Sequence, residues 1–300
     1  VLDQYAVPSE ALGASLVRSA RLGNSGRIVM GSDLRWIEGA TNERVIFQGG
    51  DRRAGGEQLL WGSFAEATGQ MESGSWLAGL RMDYWKNHAG FLQQPNQPRD
   101  AFPDREKWIF SARVGGTRQV ADVLCLRGAV YQAFRVPTLN ELYRPFRVGD
   151  DLTTANATLD PERLLGAEAG FDCQLSGELT VSGTVYYNTV RDPVLNVTVG
   201  QSAPGGRLRQ RQNIGRTEIA GLELEAGQDL GRGFSWRLAY AFIHARVGEA
   251  PGYPDLEGKA LAQVPRHGVT GTLRYEPPGT PWFLAMAGRW IGDQYEDDLN

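Results

Sequence analysis

The sequence predicts an all-β protein, specifically an antiparallel transmembrane β-barrel with about twelve strands in this chain. Three observations support this prediction. Apolar and polar residues alternate through many short stretches, which is the side-chain period of a β-strand. The connections between those stretches are alternately short and long. Aromatic residues are concentrated near the predicted strand ends, as in barrels that cross an outer membrane.

Twelve stretches show the alternation, and the 300 residues are treated as one domain, 1–300, because nothing divides them cleanly. The alternation is clearest in 178–191, and it is also well developed in 234–247 and 282–292. Almost no segment has a helical period, and no uncharged apolar run is long enough for a transmembrane helix. The predicted strands are 9–18, 27–38, 57–67, 76–85, 108–114, 121–134, 164–173, 178–191, 217–227, 234–247, 266–276 and 282–292.

The connections favour a barrel over a soluble fold with the same pattern. In a sandwich the apolar faces would form the core, whereas in a barrel they would face lipid, and periodicity does not separate the two. Barrels have short turns at one rim and longer loops at the other. A soluble β-sandwich or β-propeller binding module remains the alternative. The short connections are 19–26, 68–75, 115–120, 174–177, 228–233 and 277–281, and the long ones are 39–56, 86–107, 135–163, 192–216 and 248–265.

Composition argues against several other classes of protein. The net charge of −4 gives no case for nucleic-acid binding. Cys125 and Cys173 are the only cysteines, and their positions in the alternation place them on opposite faces, so two free thiols are expected. The three histidines, His88, His244 and His267, lack the spacing of a metal site or a catalytic triad. We therefore expect no metal site, no cofactor and no enzymatic activity.

The stretch 134–170 is the most informative part of the chain. It reads as a strand, a long polar loop and a second strand, because Pro137 and Pro161 lack an amide hydrogen and suit neither strand interior. Two phrases stand out within it. The first is Phe134-Arg135-Val136-Pro137-Thr138-Leu139-Asn140-Glu141-Leu142-Tyr143, and the second is Asn156-Ala157-Thr158-Leu159-Asp160-Pro161-Glu162, followed by Glu168-Ala169-Gly170.

These phrases, in this order, resemble two motifs of TonB-dependent outer-membrane receptors, FRxPTxxELY and NPxLxPExxxxxExG. Ala157 stands where the family usually has proline. The resemblance implies structural roles for the matching residues, and for Glu168 it implies packing of the barrel wall against a plug domain ahead of ligand contact. The matching residues are Phe134, Arg135, Pro137, Thr138, Glu141, Leu142, Tyr143, Asn156, Leu159, Pro161, Glu162, Glu168 and Gly170.

The resemblance also implies a function. Receptors of this family form barrels of about twenty-two strands around an N-terminal plug, so this chain is expected to be a partial barrel without the plug and the final strands. It is expected to import a scarce chelated nutrient, most commonly a ferric siderophore, with energy delivered by TonB through the missing plug. Cobalamin or another nutrient of the same family is the alternative, followed by a passive porin-like channel.

Arginines in the connection 192–216 are the first candidate ligand contacts. Arg207, Arg209 and Arg211 form a run that only Asp192 opposes within that connection, so a cationic loop is expected. Guanidinium groups offer paired donors that suit carboxylate, catecholate or phosphate oxygens. The run is therefore a candidate site for an anionic chelate. Contact with lipopolysaccharide or simple solvation is the alternative.

A second candidate patch lies in the connection 135–163. Arg144, Arg147 and Tyr143 combine basic and aromatic side chains there. Acidic residues in the same connection provide internal partners, so a salt-bridged loop is an equally good interpretation. Outer-membrane lipid and lipopolysaccharide are expected partners of the barrel as a whole.

Overall fold

Almost the whole chain is described by the computed structural model. Parts of three predicted connections, 39–56, 174–177 and 192–216, fall outside the described residues, as does Leu299. The described residues are 2–46, 49–175, 178–202, 205–298 and 300.

One antiparallel sheet of fourteen strands, here called the wall sheet, forms the body of the structure. Each of the twelve predicted strands corresponds to one of its strands, and β1 and β6 are additional. The wall strands are β1 (Leu2–Ala6), β2 (Ser9–Leu22), β3 (Gly26–Val45), β4 (Gly50–Met71), β5 (Gly74–Gln93), β6 (Arg99–Ala101), β7 (Arg105–Ala121), β8 (Leu124–Arg135), β11 (Glu162–Gln174), β12 (Thr180–Arg191), β15 (Arg216–Gly231), β16 (Phe234–Glu249), β17 (His267–Tyr275) and β18 (Leu284–Ile291).

Neighbouring wall strands are mostly sequential hairpin partners. The path runs β1-β3-β4-β5-β7-β8-β11-β12-β15-β16-β17-β18, while β2 also pairs with β3 and β6 with β5. Strands β1 and β2 lie end to end along β3, interrupted at Val7-Pro8. Strands β3, β4 and β5 extend well beyond their predicted ends, so most of the connections predicted at 39–56 and 86–107 is strand instead.

The long connections contain a second, smaller sheet, here called the crown sheet. Its order is β13-β14-β10-β9, and β10 and β14 pair in parallel. The prediction of loops without strands for 135–163 and 192–216 was wrong here, because strands this short and polar give no clear hydrophobic alternation. The crown strands are β9 (Phe146–Val148), β10 (Asp151–Thr154), β13 (Val194–Ser202) and β14 (Gly206–Asn213); the connections also hold a short helix, α1 (Leu139–Tyr143), and a 3₁₀ turn at Pro254–Leu256.

The two faces of the wall sheet differ sharply in polarity. On the apolar face, large side chains are left uncovered, among them Leu80 (57% exposed), Phe110 (60%) and Val185 (54%). The opposite face carries charged and hydroxyl groups. A soluble sandwich would cover the apolar face with a second sheet, whereas this arrangement is typical of a strand wall that faces lipid.

Aromatic clusters mark both ends of the apolar face. Trp108 contacts Trp61 and Tyr84 near the end with long connections, with ring centroids 5.8 and 5.0 Å away. Near the end with short connections, Phe234 stacks on Tyr275 with centroids 4.1 Å apart. Two such clusters correspond to the interfacial girdles of membrane barrels. Among the described residues, no helix has the length and apolar character needed to span a bilayer.

Glycines on the polar face let side chains meet across an intervening strand. Gly62 of β4 lies between Asp33 of β3 and Asp83 of β5 in register. The guanidinium of Arg81 passes over Gly62 and bonds both Asp33 oxygens at 2.8 and 3.0 Å. A Cβ on Gly62 would overlap that guanidinium. A residue with a side chain at this position would therefore break the bridge between β3 and β5.

The same arrangement recurs at three further glycines of the polar face. In each case the two residues in register with the glycine on its flanking strands contact each other across it. The resulting bridges are Glu66 to Arg113 across Gly79, Arg127 to Thr184 across Gly170, and Tyr131 to Asn188 across Gly166.

The two cysteines agree with the prediction. Cys125 of β8 lies opposite Asp172 of β11, and Cys173 lies opposite Leu124. The two residues are therefore on neighbouring strands but on opposite faces. Both thiols are free.

Gly62→Ala tests the role of the glycine bridges. We expect the complete protein to lose about 1–3 kcal/mol of unfolding free energy, because the added methyl displaces Arg81 from Asp33. The matched control is Gly268→Ala, on the polar face of β17, where a Cβ meets nothing within 4 Å. Urea unfolding followed by tryptophan fluorescence measures both variants, and an equal effect of the two would contradict the bridging role.

Candidate functional site

The crown sheet, the helix α1 and the connections that contain them are here called the crown, which begins just after strand β8 ends at Arg135. Thr138 caps α1 through a capping box, in which its hydroxyl accepts from the Glu141 amide at 3.2 Å and its own amide donates to the Glu141 carboxylate at 2.8 Å. This reciprocal pair satisfies donors that a helix start leaves open. Thr138 and Glu141 of the first phrase are therefore helix-capping residues.

Arg135 joins α1 to the wall. Its guanidinium donates to Glu141 at 2.9 and 3.0 Å and to Glu162 at 2.7 and 2.8 Å. Glu162 lies directly opposite Arg135 in the β8–β11 register. Burial alone would raise the pKa of Glu141, but the hydrogen bonds and charge of Arg135, with the Thr138 donors, outweigh it and hold that pKa below its ordinary value.

Helix α1 packs on the polar face of β4 and β5. Leu142 and Tyr143 are each 1% exposed. The Tyr143 ring stacks on Phe102 with centroids 5.2 Å apart, and its hydroxyl accepts from the Asn87 amide. A Cβ on Gly90 would overlap the same ring. Burial raises the pKa of Tyr143. Tyr143 was predicted as a ligand contact, but the structure places it in this packing, with no surface for a ligand.

The peptide on either side of α1 is also held. The buried carbonyl of Pro137 accepts from the Gln58 side chain at 2.7 Å. The backbone amide of Asn156, which opens the second phrase, donates to the Glu141 carbonyl at 3.2 Å, and the Asn156 side chain donates to the Arg211 carbonyl at 2.9 Å. These hydrogen bonds therefore join the first phrase, 134–143, to the second phrase, 156–162, through the crown.

The second phrase continues down to the wall. Leu159 is fully buried, and its carbonyl accepts from Arg105 at 2.6 Å. Asp160 pairs with Arg105 and, at 2.7 Å, with Lys107 of β7. Pro161 is buried immediately before β11 begins. These contacts give the second phrase a structural role between crown and wall.

Glu168 and Gly170 lie on the polar face of β11. The Tyr131 hydroxyl contacts Glu168 at 3.5 Å, and Gly170 provides the space over which Arg127 reaches Thr184. Phe134, by contrast, belongs to the apolar face, opposite Arg163. The implied packing of Glu168 against a plug stays a prediction.

Counter-charges surround the arginine run of β14. The Arg207 guanidinium forms an ion pair with Asp297, and Arg209 lies 3.1 Å from Asp151 and 3.9 Å from Asp297. The Arg207 amide also donates to Asp151 at 2.8 Å. The expectation that only Asp192 opposes the run was wrong, because the parallel pairing of β10 with β14 brings in Asp151 and the segment after β18 brings in Asp297.

Arg211 is half-buried. It donates to the carbonyls of Asn140 at 2.6 Å and Arg144 at 3.1 Å, and it lies 5.0 Å from the Phe146 ring centroid. Burial lowers the pKa of Arg211. It therefore ties the crown sheet to α1.

Arg144 belongs to a buried charge cluster that the sequence did not predict. Glu43, 1% exposed, accepts from Arg144 at 2.9 Å and from Arg52 at 2.7 Å. One carboxylate with two guanidinium partners fixes the end of the β3–β4 hairpin to the crown.

The half-buried Arg147, the remaining candidate, donates to the Asp150 carbonyl at 3.2 Å. Among the arginines predicted to bind ligand, Arg207 keeps its side chain 45% exposed although it forms an ion pair with Asp297.

A hydrophobic cluster packs between the crown sheet and the 3₁₀ turn at Pro254–Leu256. Val197, Ile214 and Leu256 are each 6% exposed or less and join residues from the crown sheet to the 3₁₀ turn. The amide and hydroxyl of Thr198 donate to Asp298 at 2.7 and 2.8 Å. No group of three or more His, Cys, Asp or Glu side chains in the described part of the chain is placed to hold a metal.

This architecture defines the class of protein. An uncovered apolar strand face, aromatic clusters at both ends and long connections folded over one end are the features of an outer-membrane β-barrel. The chain belongs to the TonB-dependent receptor family, because the family described as "TonB dependent receptor-like, beta-barrel" matches residues 9–300. It is accordingly a protein of the Gram-negative outer membrane.

Individual relatives are distant. An iron-regulated outer membrane virulence protein of Vibrio cholerae serotype O1 is 23% identical over 176 residues, which are 56% of this chain and 26% of that protein. The solved copper transporter OprC has a TM-score of 0.76 at 21% identity over 97% of this chain and 45% of its own. The ferric enterobactin receptor PfeA of Pseudomonas aeruginosa has a TM-score of 0.68 at 16% identity, covering 98% and 44%. The chain therefore spans less than half of each of these proteins, and the likeness to the two structures shows the fold.

Glu141→Gln tests the electrostatic link in the crown. Because the folded-state pKa of Glu141 is lowered, its contribution is complete above the unfolded carboxyl pKa of about 4.3 and is lost as the pH falls further. We expect the variant to be about 1–2 kcal/mol less stable than the wild type at pH 7. That difference should shrink below pH ~4, as measured by urea midpoints in detergent.

The control for that experiment is Glu72→Gln, which changes an exposed carboxylate in a short connection. Its stability relative to the wild type should be the same at every pH. A Glu141→Gln difference that stays constant or grows as the pH falls would contradict the lowered pKa.

Proposed function

We propose that this chain is part of the barrel of an active receptor, which binds a scarce chelated nutrient outside the cell and imports it into the periplasm. Family membership and the outer-membrane location support the proposal. The energy would come from TonB acting through a plug domain, and the proposal includes no catalytic step. Similar solved structures include a copper transporter, an iron transporter, a hemophore receptor in complex with its hemophore and heme, and a ferric enterobactin receptor.

A ferric siderophore is the ligand class we favour. The observation that carries it is the pair Arg207 and Arg209 on β14, where both guanidinium groups lie against Asp297 and that of Arg209 also pairs with Asp151. A carboxylate or catecholate oxygen of the ligand would replace Asp297 as the anionic acceptor of the two guanidinium groups. The rest of the crown holds β14 in place for that exchange, through Arg211 and Asn156.

Deletion of the complete gene tests the function. We expect the deletion strain to grow poorly under iron limitation with one ferric siderophore as iron source, and its outer membranes to lose binding of that labelled chelate. Normal growth and unchanged binding with every ferric chelate tested would overturn the siderophore assignment. Loss of cobalamin uptake instead would keep an active receptor and change its ligand.

The double variant Arg207→Ala/Arg209→Ala tests the site. We expect about ten-fold weaker binding of the ferric chelate, because two charged donors are removed. Arg211 is left unchanged, since its loss would disturb α1. The control is Arg118→Ala/Arg232→Ala, which removes the same charge from exposed positions near the short connections. Equal binding by the two double variants would remove Arg207 and Arg209 from the site.

Asp297→Asn should act in the opposite direction. It frees Arg207 from its ion pair, so we expect the anionic chelate to bind more tightly than to the wild type, by about three- to ten-fold. Asp293→Asn, at an exposed position in the same segment, is the matched control. Weaker binding by Asp297→Asn in direct titration would show that Asp297 supports the site and does not compete with the ligand.

A further inference from the structure

A row of arginines crosses the apolar face of the wall at the crown end. Arg163 opens β11, Arg191 closes β12 and Arg216 opens β15, and the three lie side by side in register. Their positions follow the apolar alternation, since Leu165 and Val185 lie on the same face further along β11 and β12. The arginines therefore face away from the lumen, just beyond the exposed apolar band.

Part of this row is neutralised by protein carboxylates. Arg216 pairs with Glu218 at 3.2 Å and with Glu249 at 2.9 Å. Arg246 of β16 pairs with the other oxygen of Glu218 at 2.8 Å. These pairs balance the β15–β16 side of the row within the protein.

Arg163 and Arg191 are not neutralised in this way. Both are exposed, and within the described residues neither takes part in an ion pair or a side-chain hydrogen bond. Asp192, which follows Arg191 in the chain, is not in an ion pair with either of them. Like charges directly opposite each other on neighbouring strands destabilise a sheet. An anion bound between the two guanidinium groups would remove that repulsion.

The surface beside the pair is apolar. Leu165 is 51% exposed, Tyr187 is 49% exposed and Val185 is 54% exposed, all on the same face of β11 and β12. A ligand that bridges the arginines thus has an uncovered hydrocarbon surface next to it, on the lipid side of the wall.

We propose that Arg163 and Arg191 bind the phosphate of a phosphorylated outer-leaflet lipid, whose acyl chains lie along Leu165, Tyr187 and Val185. Two guanidinium groups provide positive charge and paired donors that suit phosphate oxygens. The site is on the opposite face of the wall from the lumen and does not involve Arg207 or Arg209, so it goes beyond the proposed function and does not depend on it.

Lipid titration by native mass spectrometry tests the proposal on the complete receptor in detergent. The probes are bisphosphorylated lipid A, the same lipid A without phosphates, and inorganic phosphate. For Arg163→Gln/Arg191→Gln we expect about ten-fold weaker binding of bisphosphorylated lipid A than for the wild type. Removal of the lipid phosphates should weaken binding to the wild type by a similar factor.

The matched control is Arg237→Gln/Arg289→Gln, which removes two charges from the polar face of β16 and β18 and should bind lipid A as the wild type does. Arg163→Lys/Arg191→Lys keeps the charge and should retain most of the binding. It replaces the glutamine variant in the experiment if the glutamine variant does not assemble. Equal binding by the glutamine variant, or no effect of removing the phosphates, would overturn the site. Displacement of the lipid by inorganic phosphate at equal concentration would overturn the lipid as its ligand.

Discussion

The bridge from Arg135 to Glu141 and Glu162 is the interaction on which the crown depends. Its three residues are the end of β8, the first turn of α1 and the start of β11. Glu162 also accepts from the Val194 amide at 2.7 Å, so the same group of charges reaches the start of the crown strand β13. Without it, the long connection between β8 and β11 would lose the charged contacts that join α1 directly to both wall strands and that help to offset its conformational entropy.

The strands of the wall sheet are held together by different interactions from those that hold the crown. The apolar face of the wall sheet is left uncovered, so hydrophobic packing between layers does not hold the strands together, and backbone pairing and polar-face contacts do. Bridges such as Arg81 to Asp33 across Gly62 connect alternate strands. The arginine row at the crown end of the apolar face then marks the height at which protein charge meets lipid headgroups, according to our proposal.

The sequence predicted the wall well and the crown poorly, for one physical reason. A wall strand is encoded locally, because its two faces meet lipid and water and so force a two-residue alternation. Crown strands β10 and β14 are far apart in the sequence. Their polar residues do not alternate with apolar ones in a way that distinguishes one face of the strand from the other. Tyr143 shows the same difficulty: beside Arg144 it resembled part of a ligand patch, but Gly90 and Asn87, far back in the chain, bury it. The counter-charge of Arg207 likewise comes from Asp297, which no local pattern connects to it.

The most direct test of this account is amide hydrogen exchange at α1 in the complete receptor, comparing the wild type with Arg135→Gln. The relevant amides are those of Leu142 and Arg144, which donate to Thr138 and Asn140 at 3.0 and 3.1 Å. We predict slow exchange in the wild type and faster exchange at α1 in the variant, with the wall strands β11 and β12 unchanged. Fast exchange of α1 in the wild type, or no change in the variant, would contradict a crown held by the Arg135 bridge.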